Sequence, residues 1–180
     1  MPVFKVNSGE IRISDPCYDK DDYMCGVVIP ARSGEWVASA ETENCGVWGE
    51  RVVNLVAEYN GFFVGGLTPT THQICVDSGQ AGIFDFRSYK NDNSVKDVKR
   101  VHDEIICENE PWYSICCDRT LSKKQWGVIP NGVISSSGYG DGCYEVTCFV
   151  DKDGLAARVE IVFISDDDEE DYEDYEDENF

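Results

Sequence analysis

Short segments rich in β-branched and aromatic residues alternate with turn signals along most of the chain. Asn60-Gly61 follows the apolar run 52–57, Asn131-Gly132 separates 127–129 from 133–134, and Asp153-Gly154 separates 144–150 from 157–164. Asn-Gly and Asp-Gly favour tight hairpins, because both central residues of the preferred turn need positive φ. We therefore predict that each of these three turns joins neighbouring antiparallel strands.

A period of two residues is clearest near the end of the apolar sequence. Val159, Ile161 and Phe163 would share one face of a strand, and Arg158 and Glu160 would point the other way. Many short strands joined by regularly spaced turns are typical of sandwiches and barrels. The sequence therefore predicts a mainly β fold, either an antiparallel sandwich or an open barrel of short strands.

One segment departs from the strand pattern. Asn93-Ser94 could cap a helix whose apolar positions fall on a single stripe, namely Val95, Val98, Val101 and Ile105. We predict one long helix, between about residues 93 and 107, that covers one side or end of the sheet. Pro111 would then precede a further strand over 112–117.

The charge is large and partly local. The chain of 180 residues has a formal charge of −20, and residues 166–178 contain eleven acidic residues and no basic one. Removing those eleven charges leaves −9 on the rest of the chain. Blocks of like charge repel one another and stay disordered. We expect a single β-rich domain over residues 1–164 and a disordered acidic tail over 165–180.

The acidic surface narrows the choice of partners. Nucleic-acid affinity comes mainly from Lys and Arg that neutralise phosphates, so direct nucleic-acid binding is disfavoured, as is an anionic membrane surface. Basic proteins and metal cations are the charged partners that remain. The composition leaves the oligomeric state open.

The cysteines and the N-terminus favour a reducing compartment. The N-terminus lacks the pattern of a secretion signal, and no apolar run is long enough to span a bilayer. Nine cysteines occur without a Cys-x-x-Cys pair, which favours reduced, mostly buried thiols in the cytoplasm. A zinc site built from Cys143, Cys148 and distant partners is an alternative.

Three short motifs, at residues 14–18, 76–82 and 138–144, are the main candidates for a site. Each places an aspartate beside glycine or proline, close to an apolar, strand-like run. Three such turns in one small chain suggest that they converge at one end of the sheet. The candidate ligand-binding residues are Asp15, Tyr18, Asp77, Ser78, Gly79, Gln80, Gly82, Asp141, Gly142 and Tyr144.

The three aspartates have two interpretations. Each carboxylate could lock its own turn by accepting hydrogen bonds from nearby backbone N–H groups. Clustered, Asp15, Asp77 and Asp141 could instead hold a divalent cation such as Ca²⁺ or Mg²⁺, or a cationic or hydroxyl-rich ligand. We assign no catalytic residue, because Ser78 lacks the Gly-x-Ser-x-Gly elbow and no Gly-rich phosphate loop with lysine is present.

The order of these motifs resembles the bacterial and phage family known as domain of unknown function 4241. The matching elements are Ile13-Ser14-Asp15-Pro16, the Val-Asp-Ser-Gly-x-x-Gly at 76–82, and the Gly-Asp-Gly-x-Tyr at 140–144 followed by Asp151-x-x-Gly154. The resemblance implies a mainly β fold and a phage or bacterial source, and it implies no established activity. The acidic tail and the many cysteines depart from the family pattern.

These observations favour binding over catalysis. The leading hypothesis is a non-enzymatic phage or bacterial binding protein that inhibits a host or competitor protein, or that sequesters a small ligand. One alternative is a metal-dependent hydrolase that uses the clustered aspartates, and another is an acidic mimic of nucleic acid. A hydrolase would need a divalent cation and would lose turnover when Asp77 or Asp141 becomes asparagine.

Overall fold

The computed structural model describes residues 1–104 and 107–165. Within them the chain forms one α-helix, α1 (Pro111–Thr120), and short 3-10 turns at Gly46–Trp48, Phe86–Ser88 and Asp92–Val95. The strands are β1 (Val3–Val6), β2 (Glu10–Ser14), β3 (Val27–Pro30), β4 (Gly34–Asn44), β5 (Glu50–Tyr59), β6 (Thr68–Val76), β7 (Gln80–Asp85), β8 (Trp126–Ile129), β9 (Gly132–Ser136), β10 (Gly142–Val150) and β11 (Ala156–Val162).

The strands form two antiparallel sheets, as the alternation predicted. Sheet A has the order β1-β4-β5-β11-β10-β6, and sheet B has the order β3-β2-β7-β9-β8. Side chains from both sheets meet in one buried cluster, which includes Trp36, Leu55 and Ile161 of sheet A and Ile13 and Ile83 of sheet B. The fold is therefore mainly β, with its principal core between the two sheets.

Two of the three predicted hairpins are confirmed. Asn131-Gly132 lies at the turn between β8 and β9, and Asp153-Gly154 lies between β10 and β11; both strand pairs are antiparallel neighbours. The predicted alternation in β11 is also confirmed, because Val159 and Ile161 are fully buried and Arg158 is partly exposed.

The hairpin predicted at Asn60-Gly61 is wrong. Both edges of β5 are already taken, by β4 and by β11, so the chain crosses to the far edge of sheet A and pairs β6 with β10. A Cβ atom on Gly61 would lie 2.1 Å from the hydroxyl of Tyr59. Glycine here lets the backbone pass close to the ring of Tyr59 and does not form a two-residue turn.

A covering helix is present, but its predicted place is wrong. The helix is α1, over the stretch expected to be a strand, whereas the described part of the segment expected to be helical, residues 93–104 and 107, contains as helical residues only those of the 3-10 turn Asp92–Val95. Pro111 occupies the first turn of α1, where its missing N–H costs nothing. Trp112, Ile115 and Cys116 then face Phe84 and other residues on the outer face of sheet B, in a second buried cluster.

Asp118 on α1 explains why the preceding segment does not continue as a helix. Its carboxylate accepts hydrogen bonds from the backbone N–H groups of Val101 and His102, at 2.8 and 2.9 Å. Those two donors are therefore not available to carbonyl groups one turn earlier in the chain. Only part of the predicted apolar stripe is buried, since Val95 is buried and Val101 is exposed.

A fully buried arginine organises the long connection between β2 and β3. The guanidinium of Arg12 donates to the carbonyl groups of Lys20 and Asp22 and to the hydroxyl of Ser14, and it stacks over the ring of Tyr89 at 4.8 Å. An arginine buried this deeply is stabilised only when its donors are paired. The connection over residues 15–26 is consequently fixed to sheet B.

We expect stability to fall at acid pH because two buried carboxyl groups are held ionised. Burial raises the pKa of Asp85 and of Asp118, but hydrogen bonds from Ser8 and Asn7 to Asp85, and from Val101 and His102 to Asp118, outweigh it and lower both values below 3.8. A lowered folded pKa gives stability that is present above 3.8 and is lost as the pH falls toward the folded pKa. Asp85→Asn should flatten this dependence in urea unfolding measured across that range, and the exposed Asp97→Asn should not.

Two further sequence predictions concern the acidic tail and membrane-spanning segments. The acidic tail beyond Ser165 lies outside them. Among the described residues, none of the helical segments has the length and apolar character required to cross a membrane.

Candidate functional site

The three motifs lie at one end of the sandwich, which we call the motif end. Asp15 follows β2, whose last residue pairs with Gly82 near the start of β7. The β6–β7 connection at 77–79 and the β9–β10 connection at 137–141 both pass from one sheet to the other here. Because Gly142 pairs with Val76, the turns that carry Asp141 and Asp77 leave adjacent strands side by side.

Asp15 joins two of the motifs by hydrogen bonds. It is fully buried, and one of its oxygens accepts from the backbone N–H groups of Asp77 and Ser78, at 2.9 and 2.7 Å. Its other oxygen accepts from the hydroxyl of Ser78 at 2.6 Å and from the N–H of Cys17 at 2.8 Å. Both oxygens are thus engaged within the protein, so Asp15 locks the turns together.

Tyr18 and Asp77 form a second link at the same place. Burial, together with side-chain hydrogen bonds to Asp77 and Cys25, raises the pKa of Tyr18 well above its usual value. The phenol is therefore protonated at any physiological pH and donates to the exposed carboxylate of Asp77. This pair places an exposed carboxylate beside the buried Asp15.

Gln80 continues the network inward from Ser78. Its amide nitrogen lies 3.4 Å from the hydroxyl groups of both Ser78 and Tyr113, and its amide oxygen accepts from the hydroxyl of Thr120 at 3.0 Å. Tyr113 and Thr120 belong to α1, so Gln80 ties the β6–β7 turn to the covering helix. The sequence analysis missed Tyr113 because it assigned residues 112–117 to a strand, and it made no assignment for Thr120.

The predicted glycines have structural roles at these positions. Gly79 has a φ of +68° in the turn before β7, a conformation that other residues resist. A Cβ atom on Gly82 would come within 2.3 Å of the ring of Phe84 and 2.5 Å of the carbonyl oxygen of Val133. Gly82 therefore permits close packing in sheet B and has no side chain to offer a ligand.

The third motif stands next to the first two on the sheet A side. Asp141 and Gly142 are exposed, and the hydroxyl of Tyr144 lies 3.0 Å from the carbonyl oxygen of Ser137 and 2.6 Å from that of Gly140. Tyr144 thus holds the two ends of the β9–β10 connection together through its hydroxyl. Asp141 remains at the surface, beside the strand whose end leads into Asp77.

An aromatic tip that the sequence analysis did not assign completes this end. The 3-10 turn Gly46–Trp48 joins β4 to β5, and Trp48 packs on Tyr139 with ring centroids 5.5 Å apart. Val47 is 98% exposed and Trp48 is 47% exposed. A tryptophan next to glycine in a strand-rich sequence could have indicated a hairpin tip, but nothing in the sequence placed it beside Tyr139.

The cysteines do not support the zinc hypothesis. Cys143 is exposed and Cys148 is fully buried, because an odd separation along β10 puts them on opposite faces. Cys143 instead meets Cys75, with the two sulfur atoms 2.9 Å apart. Within residues 1–104 and 107–165, no group of three or more His, Cys, Asp or Glu side chains has a geometry that could hold a metal ion.

Two surface cavities lie outside the three motifs. A groove of about 480 Å³ runs between the β4–β5 hairpin and the start of β8, lined by Ala40, Thr42, Glu50, Lys123, Lys124, Gln125 and Trp126. A smaller cavity of about 110 Å³ adjoins Trp112 and Tyr113 on α1. Only the larger one has the size of a typical small-molecule pocket.

Comparison of the chain with protein-family models, with curated proteins and with solved structures finds no match. The resemblance to the domain of unknown function 4241 family therefore stays a prediction from the three motifs.

Proposed function

We propose that this chain is a non-enzymatic binding protein of phage or bacterial origin that captures a basic partner protein through its motif end. The observation that carries the proposal is the exposed tip Val47-Trp48, supported from behind by Tyr139, at the end of the sandwich that also carries the exposed acidic turn residues Asp77 and Asp141. Tryptophan is among the residues most often responsible for binding energy at protein interfaces.

The charge of the chain supports a basic partner. The formal charge is −9 outside residues 166–178 and −20 for the whole chain. The protein therefore attracts cationic surfaces over distances at which salt does not screen the charges. Lys123 and Lys124 lie just before β8 at the same end of the sandwich. The acidic part of this end is therefore limited to the turns near Asp77 and Asp141. The partner should therefore present a basic surface that is apolar at its centre.

The hydrogen bonds at the motif end favour binding over metal-dependent hydrolysis. Four protein donors already occupy the oxygens of Asp15, and Tyr18 bonds to Asp77. A carboxylate that serves as a metal ligand must offer a free lone pair to the cation. A hydrolase would also have to lose turnover in Asp77→Asn, whereas a binding protein has no turnover to lose.

We expect Trp48→Ala to reduce capture of the partner by about thirtyfold, which corresponds to the roughly 2 kcal/mol typical of a tryptophan hot spot. The measurement is affinity capture from a bacterial lysate by the full chain, with the captured proteins quantified by mass spectrometry. Phe62→Ala is the control, because Phe62 is an even more exposed aromatic residue, at 87%, in the 60–67 connection at the opposite end.

Three results would count against this proposal. If Phe62→Ala abolished capture and Trp48→Ala did not, the contact surface would lie at the opposite end. If capture were insensitive to added salt, charge attraction would not contribute. If removal of residues 166–180 alone abolished capture, the acidic tail would be the binding element.

The groove of about 480 Å³ supports a second candidate, sequestration of a small anionic ligand. Lys123 and Lys124 supply positive charge, and Trp126 supplies an apolar wall. Mass spectrometry of small molecules released from the purified chain tests it. A ligand retained by the wild type and lost from a Lys123→Glu, Lys124→Glu double variant would favour this function over protein capture.

A further inference from the structure

Cys75 and Cys143 form a close pair on the outer face of sheet A. They stand directly opposite each other on β6 and β10, and their sulfur atoms are 2.9 Å apart. Their neighbours Ile74, Val76 and Val146 are buried, so the alternation of each strand turns both cysteines outward. Cys143 is exposed and Cys75 is half-buried, which leaves the pair within reach of a small solute.

The backbone places this pair at the type of position where side chains approach most closely. The N–H of Cys75 donates to the carbonyl of Cys25 at 3.1 Å, on the side of β6 that faces away from β10. Cys75 and Cys143 are therefore a non-hydrogen-bonded antiparallel pair, in which the Cα atoms are closer than in the hydrogen-bonded kind. No displacement of the strands is needed to bring the two sulfur atoms together.

We propose that Cys75 and Cys143 are a reversible redox modification site, which a low-molecular-weight disulfide such as oxidised glutathione converts to a cross-strand disulfide. The bond would join residues separated by 68 positions and would fix β6, an edge strand of sheet A, to β10. It would also tie the strand that ends just before Asp77 to the strand that begins just after Asp141. Reversible disulfides in reducing compartments usually serve as redox sensors.

The reaction balances as two thiol–disulfide exchanges. The thiolate of Cys143, the more exposed residue, attacks one sulfur of oxidised glutathione, forms a mixed disulfide and releases one glutathione thiolate. The thiolate of Cys75 then attacks the Cys143 sulfur, forms the Cys75–Cys143 bond and releases the second glutathione. The protein loses two electrons and two protons, and one oxidised glutathione becomes two reduced molecules.

The environment keeps Cys75 in the thiol form at rest. The hydrogen bond to Cys143, reinforced by burial and by the proximity of Cys25, raises the pKa of Cys75 to about 11. Because the thiolate is the nucleophile, the raised pKa slows attack by Cys75, which is consistent with its role as the second thiol to react. Of the other cysteines, Cys116, Cys117 and Cys148 are buried, and Cys107 is an exposed residue on the connection before α1. Cys25 lies close to Cys75 and is the competing partner.

The test treats the full chain with excess oxidised glutathione in mildly alkaline buffer, blocks the remaining thiols, digests without reduction and identifies linked peptides by mass spectrometry. We expect a Cys75–Cys143 link in most molecules, reversed by reduced glutathione. The oxidised wild type should melt at a higher temperature than the reduced form, because the bond restricts the unfolded chain.

Variants separate this pair from general thiol oxidation. In Cys75→Ser, Cys143 should carry glutathione and the melting temperature should not rise; Cys143→Ser, at an exposed position, serves if the first variant folds poorly. Cys107→Ser should leave the link unchanged. The proposal is overturned if wild-type Cys143 accumulates as the glutathione adduct without closing on Cys75, or if the principal link joins Cys75 to Cys25.

Discussion

Replacing Asp15 by alanine is expected to lower the free energy of unfolding by about 3 to 5 kcal/mol. The side chain is fully buried, and its loss leaves the N–H groups of Cys17, Asp77 and Ser78 and the hydroxyl of Ser78 without their acceptor. Each buried donor left unpaired costs about 1 to 3 kcal/mol, and water that enters the gap recovers part of the sum. Few single substitutions on the surface have an effect of this size.

Urea unfolding followed by tryptophan fluorescence measures this change. Asp141→Ala is the matched control, because Asp141 is an exposed aspartate at the same end, and its replacement should alter stability by less than about 0.5 kcal/mol. Asp15→Asn retains one acceptor oxygen and should fall between the two. Equal stabilities for Asp15→Ala and Asp141→Ala would contradict the role of Asp15 as a lock.

The same variant connects stability to the proposed function. Asp15 joins the end of β2 to the β6–β7 turn, so its loss should loosen the turn that carries Asp77 without touching the tip at Trp48. Trp48→Ala is expected to do the reverse, because it removes an exposed side chain and leaves the hydrogen bonds of Asp15 intact. Comparing the two variants separates the integrity of the motif end from its capacity to bind.

The fold class was predictable because period-two alternation and turn chemistry are local. The Asn131-Gly132 and Asp153-Gly154 hairpins need only the preferences of two residues and the strands beside them. Asn60-Gly61 carries the same local signal, but β4 and β11 occupy both edges of β5, a fact that depends on residues far along the chain. Strand pairing is decided by the whole sheet, which local patterns do not reveal.

The helix was misplaced for a related reason. Trp112, Tyr113 and Ile115 favour strands when considered alone, and a proline just before them suggests a break. In the protein, Pro111 begins the helix, and the buried contacts of Trp112 with sheet B outweigh a preference that is worth about 1 kcal/mol at most. Tertiary packing overrode local propensity.

The candidate site was predictable as a location but not as a set of contacts. Glycine and proline beside aspartate marked the turns at Asp15, Asp77 and Asp141, and these turns do lie at one end. That Asp15 would be buried beneath Ser78 depends on the crossing of the chain from sheet A to sheet B. The pairing of Cys75 with Cys143 depends on the register of β6 against β10, which no local motif encodes.

Trp112→Ala is expected to destabilise the protein by about 3 to 5 kcal/mol and to detach α1 from sheet B. Trp112 is only 2% exposed, and its ring packs edge-on against Phe84 and Tyr89 at 5.1 and 4.9 Å between centroids. Removing a buried tryptophan costs this amount because apolar contacts are lost and a cavity remains. The aromatic pairs add a contribution beyond the area they bury.

Trp48→Ala is the matched control for this change, since Trp48 is 47% exposed and should cost much less. Unfolding by urea, together with hydrogen exchange of the α1 amides, distinguishes global from local loss. Because Gln80 bonds to Tyr113 and Thr120, a detached α1 should also increase exchange in the β6–β7 turn. Unchanged exchange in that turn would show that Asp15 alone holds the motif end, independently of the helix that covers sheet B.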